Sequence, residues 1–242
     1  MQMNKHLTAV VLGLTFALSL VGLSKPVLAG DAHGDFMIRG LVTGVLPDTS
    51  ASVSAGGSRI PGASAEVSDE VIPATTLTYF FTDNLAVELF CCFAKHQIDA
   101  TGSISSLGNL GDTWIFPPAL TAQYHFNPDG TLKPYVGVGM QYIAFFDEGT
   151  GQNRLGAADL SIDDGLGFTL QAGLDISVGN GWYINADVKK TWLETSAKFN
   201  GTGVTADVDL DPLIVSAGFG YRFNLGDLLG GHGAQTAYED LK

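Results

Sequence analysis

One segment of the chain reads Phe168-Thr169-Leu170-Gln171-Ala172-Gly173-Leu174-Asp175-Ile176-Ser177-Val178, with an apolar residue at every even position and a Thr, Gln, Gly, Asp or Ser at every odd position. A period of two is typical of a β-strand that has one apolar and one polar face. In a soluble sandwich the apolar face would pack on a second sheet, but the same pattern recurs along this chain behind an export signal. We therefore expect the apolar face to meet lipid, as it does in a transmembrane β-barrel.

Residues 1–29 have the features of a cleaved export signal. Lys5 supplies a positive charge, residues 7–23 are almost entirely apolar, and Val27-Leu28-Ala29 places small residues ahead of Gly30. We predict a signal peptide that is cleaved after Ala29. The alternative is a membrane anchor, but the apolar run is short for a spanning helix and a good cleavage site follows it.

Composition and charge narrow the class of protein. The 242 residues carry a formal net charge of −13, and removal of Lys5 and Lys25 with the signal brings it to about −15. So acidic a chain is not expected to bind nucleic acid, whose phosphates attract basic proteins. Charged residues make up only 15% of the chain and glycine contributes 31 residues, which suits a barrel with an apolar exterior.

Three tight turns divide the mature chain and set its strand number. They are Thr82-Asp83-Asn84, Asn127-Pro128-Asp129-Gly130 and Gly179-Asn180-Gly181, and each lies between alternating runs. Short turns that alternate with long segments predict an all-β fold, an eight-stranded antiparallel transmembrane β-barrel of the outer-membrane type with both termini in the periplasm. The predicted strands are residues 35–47, 70–81, 85–98, 113–126, 133–147, 162–178, 182–199 and 207–223. The predicted outer loops are residues 48–69, 99–112, 148–161 and 200–206.

Aromatic residues lie at both ends of the outward strand faces and predict two interfacial girdles. Those on the side of the tight turns are Tyr124, Phe126, Trp182, Tyr221 and Phe223, and those on the loop side are Trp114, Phe116 and Trp192. Lys190 interrupts the apolar outward set of its strand. Either it snorkels to headgroup phosphates or it marks a bulge.

The inward residues near the tight turns are polar and predict an ionic plug. An eight-stranded barrel leaves an interior that side chains just fill, and charges confined there should pair because an isolated buried ion is costly to desolvate. We expect the lower half of the barrel to be closed. The predicted plug residues are Arg39, Glu88, Asp175, Asp187, Lys189 and Arg222.

The inward residues near the loops are apolar instead, which a water-facing wall would not require. They predict an apolar pocket or funnel that opens to the outside above the plug and suits small hydrophobic molecules. The alternative is that these side chains simply pack together and rigidify the rim. The predicted channel residues are Val45, Ile72, Ile115, Pro117, Ile143, Phe145, Leu193 and Ile214.

Two consecutive prolines, Pro117 and Pro118, lie inside the predicted fourth strand. Their missing N–H donors must interrupt the backbone ladder. Unpaired backbone is tolerated at membrane depth only where it is covered or adjoins a cavity. The pair therefore predicts a lateral opening through which an apolar solute leaves the pocket for the bilayer, and a harmless bulge is the alternative.

The residues indicate no catalytic site, no metal site and no cofactor. His96 and His125 fall at different heights without a serine nucleophile two residues on, which argues against a barrel hydrolase. The histidines are scattered without ligand spacing. Cys91 and Cys92 point to opposite faces of a strand, so we interpret them as packing residues, with a vicinal redox pair as the alternative.

Several segments resemble the outer membrane protein W (OmpW) family and extend through almost the whole mature chain. They are Thr82-Asp83-Asn84-Leu85-Ala86-Val87-Glu88, Pro117-Pro118-Ala119-Leu120-Thr121-Ala122-Gln123-Tyr124, Lys133-Pro134-Tyr135-Val136-Gly137-Val138-Gly139, Phe145-Phe146-Asp147, Leu210-Asp211-Pro212 and Gly220-Tyr221-Arg222-Phe223. The resemblance implies an eight-stranded outer-membrane barrel whose hydrophobic channel is closed towards the periplasm. It also implies that a proline in the fourth strand opens the wall, and Pro117 or Pro118 fits that position.

The resemblance does not name one solute. Alkane-uptake proteins belong to this group, and some members have been linked to small amino acids or to phage and bacteriocin attachment. Family members usually stop at the aromatic residue that ends the last strand and that the barrel-assembly machinery reads. Here residues 224–242 continue beyond Phe223, so we expect a barrel over residues 30–223 followed by a disordered periplasmic extension.

The sequence thus predicts an outer-membrane channel for passive uptake of small hydrophobic molecules in a Gram-negative cell. Its partners would be membrane lipid, lipopolysaccharide, the solute and the assembly machinery. The rival is a structural barrel or attachment protein that acts through its outer loops. Acidic residues at the predicted rim either share divalent cations with lipopolysaccharide phosphates or are simply solvated: Asp147, Glu148, Asp159, Asp163, Asp164, Asp207, Asp209 and Asp211.

Overall fold

The structure is a computed structural model, and it describes residues 36–152 and 154–224. The predicted signal peptide and all of the C-terminal extension except Asn224 lie outside these residues. A short 3-10 helix spans Ser105–Leu107. The described residues form sixteen strands: β1 (Phe36–Leu46), β2 (Ser50–Ala55), β3 (Ser58–Arg59), β4 (Ala63–Val67), β5 (Glu70–Phe80), β6 (Leu85–Cys92), β7 (Ala94–Gly102), β8 (Asn109–Phe116), β9 (Ala119–His125), β10 (Leu132–Gly149), β11 (Asp159–Ile162), β12 (Gly165–Gly179), β13 (Trp182–Trp192), β14 (Glu194–Asn200), β15 (Val204–Asp209) and β16 (Leu213–Phe223).

Eight of these strands close into an antiparallel barrel, as the sequence predicts. Around the barrel the order is β1, β5, β6, β9, β10, β12, β13 and β16, and each strand pairs with the next. Strand β16 completes the circle by pairing with β1 from Phe36↔Phe223 to Leu46↔Leu213. Because the barrel is closed, its sheet has no free edge strand, and a lipid environment requires this.

The remaining strands continue the barrel outward as two separate sheets, which we call the outer extension. The first sheet has the order β11-β14-β15-β2-β3, and the second consists of β4, β7, β8 and the outer end of β10. Much of the outer extension is strand where the sequence predicted loops, as in β2 and β4. Its inward positions are often alanine, whose small apolar side chain gives only a weak alternating signal.

The alternation of the opening segment is confirmed on β12. Thr169, Gln171 and Asp175 are buried in the interior, whereas Phe168 and Leu170 are 49% and 44% exposed on the outside. The barrel therefore has an apolar exterior. No helix among the residues that the structure describes is long and apolar enough to cross a membrane.

Aromatic rings form contacts at two levels of the barrel exterior. At the end that carries the tight turns, the ring centroids of Trp182 and Tyr221 lie 5.0 Å apart. At the opposite level, the centroids of Phe168 and Trp192 lie 6.0 Å apart. Amphipathic rings favour the two membrane–water interfaces, so these levels mark the limits of the membrane-spanning wall.

Gly173 of β12 makes room for the buried side chain of Tyr135 in the barrel interior. A Cβ atom at this position would lie 2.3 Å from Cζ of Tyr135, closer than side-chain atoms approach one another. The glycine thus lets the Tyr135 ring lie over β12, so that its hydroxyl reaches Asp187 on β13.

Candidate functional site

An apolar cavity of about 120 Å³ lies between the two sheets of the outer extension and reaches down to the outer end of the barrel. The predicted channel residues that line it are Val45, Ile115, Pro117, Ile143, Phe145 and Ile214. Leu193 packs behind this lining in one cluster with Ile115 and Ile143, and Ile72 packs against the same cluster. The residues that the alternating pattern placed inward near the loops thus form the lower part of the cavity wall.

The upper part of the wall was not predicted, because most of it comes from residues assigned to loops and the rest from Phe199, the last residue of the predicted strand 182–199. Val53, Leu110, Leu160 and Phe199 contribute buried apolar side chains to it. A signal was present in Ala63-Ser64-Ala65-Glu66-Val67, which alternates apolar and polar residues like a strand. The alternation that identified the barrel strands would also have identified residues 63–67 as a strand if alanine had been counted as an apolar inward residue.

The polar groups in the cavity wall direct their hydrogen bonds to the protein. His96 is 3% exposed, and its Nδ1 atom lies 2.7 Å from the Ser68 carbonyl oxygen and donates to it. Burial lowers the pKa of His96 below its usual value of 6.5, so the imidazole is neutral at neutral pH. Gln141 Nε2 donates to the Pro117 carbonyl oxygen at 3.2 Å. The surface left to a bound molecule is therefore almost entirely apolar.

A connected set of charges forms the floor below the cavity. Arg39 binds Asp175 through two hydrogen bonds, of 3.1 Å from Nε and 2.6 Å from Nη2. Its Nη1 donates to Glu88 Oε2 at 2.8 Å and to Thr78 Oγ1 at 2.7 Å. Arg39, Asp175 and Glu88 are each 1% exposed, so the guanidinium is fully desolvated and its charge is balanced by two carboxylates.

Lys189 extends the same network across the lumen. Its Nζ atom lies 3.2 Å from Glu88 Oε1 and 2.5 Å from Asp187 Oδ1. Gln171 Nε2 donates to the same two carboxylates, at 2.9 Å and 2.6 Å, and the Tyr135 hydroxyl donates to Asp187 at 3.0 Å. Together with Arg39, these side chains come from five different barrel strands, which ties opposite walls together.

The structure therefore brings five of the six predicted plug residues into one network and places the sixth elsewhere. The Arg222 guanidinium carbon lies 3.9 Å from the ring centroid of Phe80, near the tight-turn end of the barrel. The sequence analysis placed Arg222 inward and near the tight turns, and the structure puts its side chain there, against Phe80. Tyr135 and Gln171, two uncharged residues that join the network, were not among the predicted plug residues although their strand positions made them inward.

The barrel wall is interrupted beside the cavity, at Pro117 and Pro118. The ladder between β6 and β9 ends at Phe90↔Ala119, and the ladder between β7 and β8 resumes at Ala94↔Ile115. The opposite edge of the same segment stays paired, since the Tyr142 N–H donates to the Pro118 carbonyl oxygen at 2.9 Å. The interruption therefore lies on one side of the prolines only.

Aromatic rings cover this interruption on the exterior. The rings of Phe93 and Phe116 are stacked with centroids 4.9 Å apart, and Phe146 meets Phe93 at 6.5 Å. On the interior side, Pro117 borders the cavity and Cys92 packs against Phe90 and its neighbours. Two layers of apolar side chains thus separate the cavity from the exterior at this point.

Within the residues that the structure describes, no group of three or more His, Cys, Asp or Glu side chains is placed to hold a metal ion. Cys91 and Cys92 are both free thiols. The site consists of an apolar cavity, a charged floor below it, and the interruption of the barrel wall at Pro117 and Pro118. The wall of the cavity presents an apolar surface rather than reactive groups.

A closed antiparallel barrel with an apolar exterior, two aromatic levels and a charged interior defines an outer-membrane β-barrel protein. The chain matches the OmpW family over residues 32–223. It is 36% identical over 203 residues to the uncharacterised outer-membrane protein y4mB of Sinorhizobium fredii, with 83% of this chain and 84% of that protein covered. It is 33% identical over 214 residues to outer membrane protein W of Vibrio cholerae, with 84% of this chain and 95% of that protein covered. The chain belongs to the OmpW family and resides in the Gram-negative outer membrane.

Three further similarities bear on what this barrel does. The dibenzothiophene metabolism operon protein PahQ of Pseudomonas aeruginosa is 28% identical over 204 residues, which cover 83% of this chain and 93% of that protein. The crystal structure of OprG from Pseudomonas aeruginosa superposes with a TM-score of 0.73 at 32% identity, covering 79% of this chain and 96% of OprG. The solid-state NMR structure of AlkL in DMPC bilayers superposes with a TM-score of 0.64 at 28% identity, covering 85% of this chain and 98% of AlkL. The family and these neighbours are membrane barrels in kind, not enzymes.

Proposed function

We propose that this protein is a passive outer-membrane channel for small hydrophobic molecules. A solute is admitted to the apolar cavity from outside and is released sideways into the bilayer through the interruption at Pro117 and Pro118. The observation that carries the proposal is the position of the cavity, which lies above an ionic floor and beside the weak point of the wall.

The charged floor favours a lateral rather than a vertical route. A solute that moved straight down would have to separate Arg39 from Asp175 and Glu88, and an apolar molecule offers no hydrogen bonds in exchange. At the interruption it meets only apolar side chains and the short unpaired stretch between the β6–β9 and β7–β8 ladders. The smaller barrier is therefore sideways, and the product of transport is a solute dissolved in lipid.

The name of one relative supports the class of solute. PahQ is named for dibenzothiophene metabolism, and dibenzothiophene is an apolar aromatic molecule. We infer that the present chain takes molecules of the same broad kind and is not an enzyme. We also infer contacts with lipopolysaccharide at the outer extension and with the barrel-assembly machinery during insertion.

The direct test is uptake by cells of a Gram-negative host that lacks its own OmpW-family protein. We expect cells that produce the full chain to accumulate radiolabelled naphthalene several-fold faster than cells with the empty vector. Glucose, a polar solute, serves as the control and should enter both equally. Equal naphthalene uptake in the two strains would favour the structural or attachment role instead.

The lateral route has its own test in the prolines. Replacing Pro117 and Pro118 together by valine restores two N–H donors and allows the β6–β9 and β7–β8 ladders to join. We expect naphthalene uptake to fall about tenfold while the folded barrel keeps or gains stability. Normal uptake by a folded double variant would eliminate the lateral route. Replacement of Pro73 by valine, at the outer part of β5, is the matched control and should leave uptake unchanged.

A further inference from the structure

The two sheets of the outer extension are each continuous with the barrel but not with each other. The β1–β5 ladder ends at Val45↔Glu70, and above it β2 and β4 belong to different sheets; we call this boundary the first seam. The β10–β12 ladder ends at Ile143↔Gly165, and above it β10 pairs with β8 while β11 pairs with β14; we call this boundary the second seam. Among the described residues no backbone ladder crosses either seam.

One side chain closes the second seam at its base. The carboxylate of Asp164 accepts a hydrogen bond from the Phe145 N–H at 3.1 Å and another from the Tyr142 hydroxyl. Both donors belong to β10, whereas Asp164 lies between β11 and β12. The carboxylate is exposed to water, which competes for it, so this connection is weaker and more readily broken than a backbone ladder.

Above Asp164 the second seam is also spanned by apolar packing, because Leu160 of β11 and Leu110 of β8 belong to one buried cluster. The first seam has a hydrogen bond from a backbone N–H in addition to such packing. Ala51 N donates to Ser64 Oγ at 3.3 Å, which places β2 directly beside β4. The partly buried Ala51 side chain packs on the same apolar cluster that contains Ala63 and Ala65 of β4. The first seam is therefore a packed contact between two strands, and it can bend without coming apart.

The core between the two sheets is rich in alanine, which lowers the cost of separating them. The free energy of apolar burial scales with area, and an alanine side chain buries far less than a leucine or a phenylalanine. Among the described residues, Val53, Leu110, Leu160 and Phe199 are the larger fully buried side chains of the cluster, and partly buried aliphatic residues such as Ile98 and Ile162 pack around them. The alanines of this cluster are Ala63, Ala65, Ala100, Ala157, Ala197 and Ala206.

The size of the cavity makes separation necessary for most solutes. Its volume is about 120 Å³, and an apolar cavity of roughly 150 Å³ in another protein holds benzene. A molecule of two or three fused rings, or an alkyl chain, therefore exceeds the space in the closed state. Either the walls move apart or such molecules are excluded.

We propose that the outer extension works as a jaw, in which the two sheets part at the second seam, bend about the first seam, and admit the solute when the Asp164 latch releases. The proposal rests on the proposed uptake function and specifies the route of admission. In the closed state Asp164 holds β10 to the segment before β12 and keeps the cavity small. When its two hydrogen bonds exchange for water, the seam widens and the apolar wall becomes accessible from the side.

Removal of the latch is the first part of the test. Replacing Asp164 by alanine should increase the rate of naphthalene uptake at least about threefold, because the hydrogen bonds that favour the closed state are gone. Amide hydrogen exchange of Phe145 supplies a readout that does not depend on transport. We expect its exchange to accelerate by a similar factor, whereas exchange in the β1–β16 ladder should not change.

The second part of the test is a reversible disulfide that holds the second seam closed. Ala144 and Asp164 directly follow the last pair of the β10–β12 ladder, so cysteines there are at cross-strand separation and can form a disulfide. In a background with Cys91 and Cys92 replaced by alanine, Ala144→Cys with Asp164→Cys should transport slowly when oxidised and at least about fivefold faster after reduction. The matched control, Ala51→Cys with Ser64→Cys, locks the first seam and should transport equally in both states.

The outcomes separate the jaw from the channel. If the unmodified protein transports naphthalene but oxidation of the second-seam pair has no effect, the jaw is wrong and the proposed function stands. The jaw is also wrong if oxidation of the first-seam pair alone stops transport, or if Phe145 exchange is insensitive to Asp164. If the unmodified protein transports nothing while Phe145 exchange responds as expected, the seam opens but the proposed function is wrong.

Discussion

Lysine in place of Ile143 should abolish uptake of an apolar solute. Ile143 is 3% exposed and packs in the cavity wall with Ile115 and Leu193. An ammonium group there would either remain charged and hold water in the cavity or fill the space with its own alkyl stem. We expect naphthalene uptake to fall by at least about fiftyfold, since an unpaired buried charge costs several kcal/mol.

Two further variants make this result interpretable. Ile143→Leu conserves volume and should retain most of the uptake. Ile143→Trp adds no charge but occupies the cavity, and it should also block uptake. Heat-dependent migration in gels establishes that each barrel is folded. A folded Ile143→Lys protein with normal uptake would show that the solute does not pass through this cavity.

Replacement of Arg39 by methionine should have the largest effect on stability. The substitution leaves Glu88 and Asp175 buried without their shared cation, and breaking a buried ion pair in this way costs about 3–5 kcal/mol. We expect the free energy of unfolding in lipid vesicles to fall by about that amount, measured by urea titration with tryptophan fluorescence.

The matched control removes the charges on both sides of the contact. Arg39→Met combined with Glu88→Gln and Asp175→Asn leaves no buried ion without a partner, so most of the lost stability should return. If the single and the triple variants are equally unstable, the network contributes through packing rather than through charge. If neither loses stability, the floor is solvated and the prediction of a closed lower barrel fails.

The sequence predicted the barrel well because lipid imposes a strict requirement. Most outward positions between the girdles must be apolar, so β12 alternates without fault, β13 does so except at Lys190, and the alternation assigns each side chain to a face. Alternation also identified Arg39, Glu88, Asp175, Asp187 and Lys189 as inward. A confined set of opposite charges has few alternatives to pairing with one another.

The outer extension was harder to predict because water tolerates many sequences there. Strands β2 and β4 alternate serine or glutamate with alanine, and that pattern resembles a polar loop. The two seams depend on which strands pair with each other above the membrane. The alternation of apolar and polar residues identifies a strand but does not specify its pairing partner. The contact of Arg222 with the Phe80 ring was likewise not predicted, because alternation assigns a side chain to a face but does not say which neighbour it packs against.

The pairing of β1 with β16 has a consequence for how the protein is made. The first and last strands of the barrel meet residue for residue over the full length of β1, although nearly all of the described chain separates them. Contacts between such distant residues form slowly, because the intervening chain must be ordered before they are gained. The nascent barrel therefore cannot mature strand by strand as it emerges. It must be kept from aggregating until its final segment is available, and a chain cut short before β16 would expose two reactive edges at once.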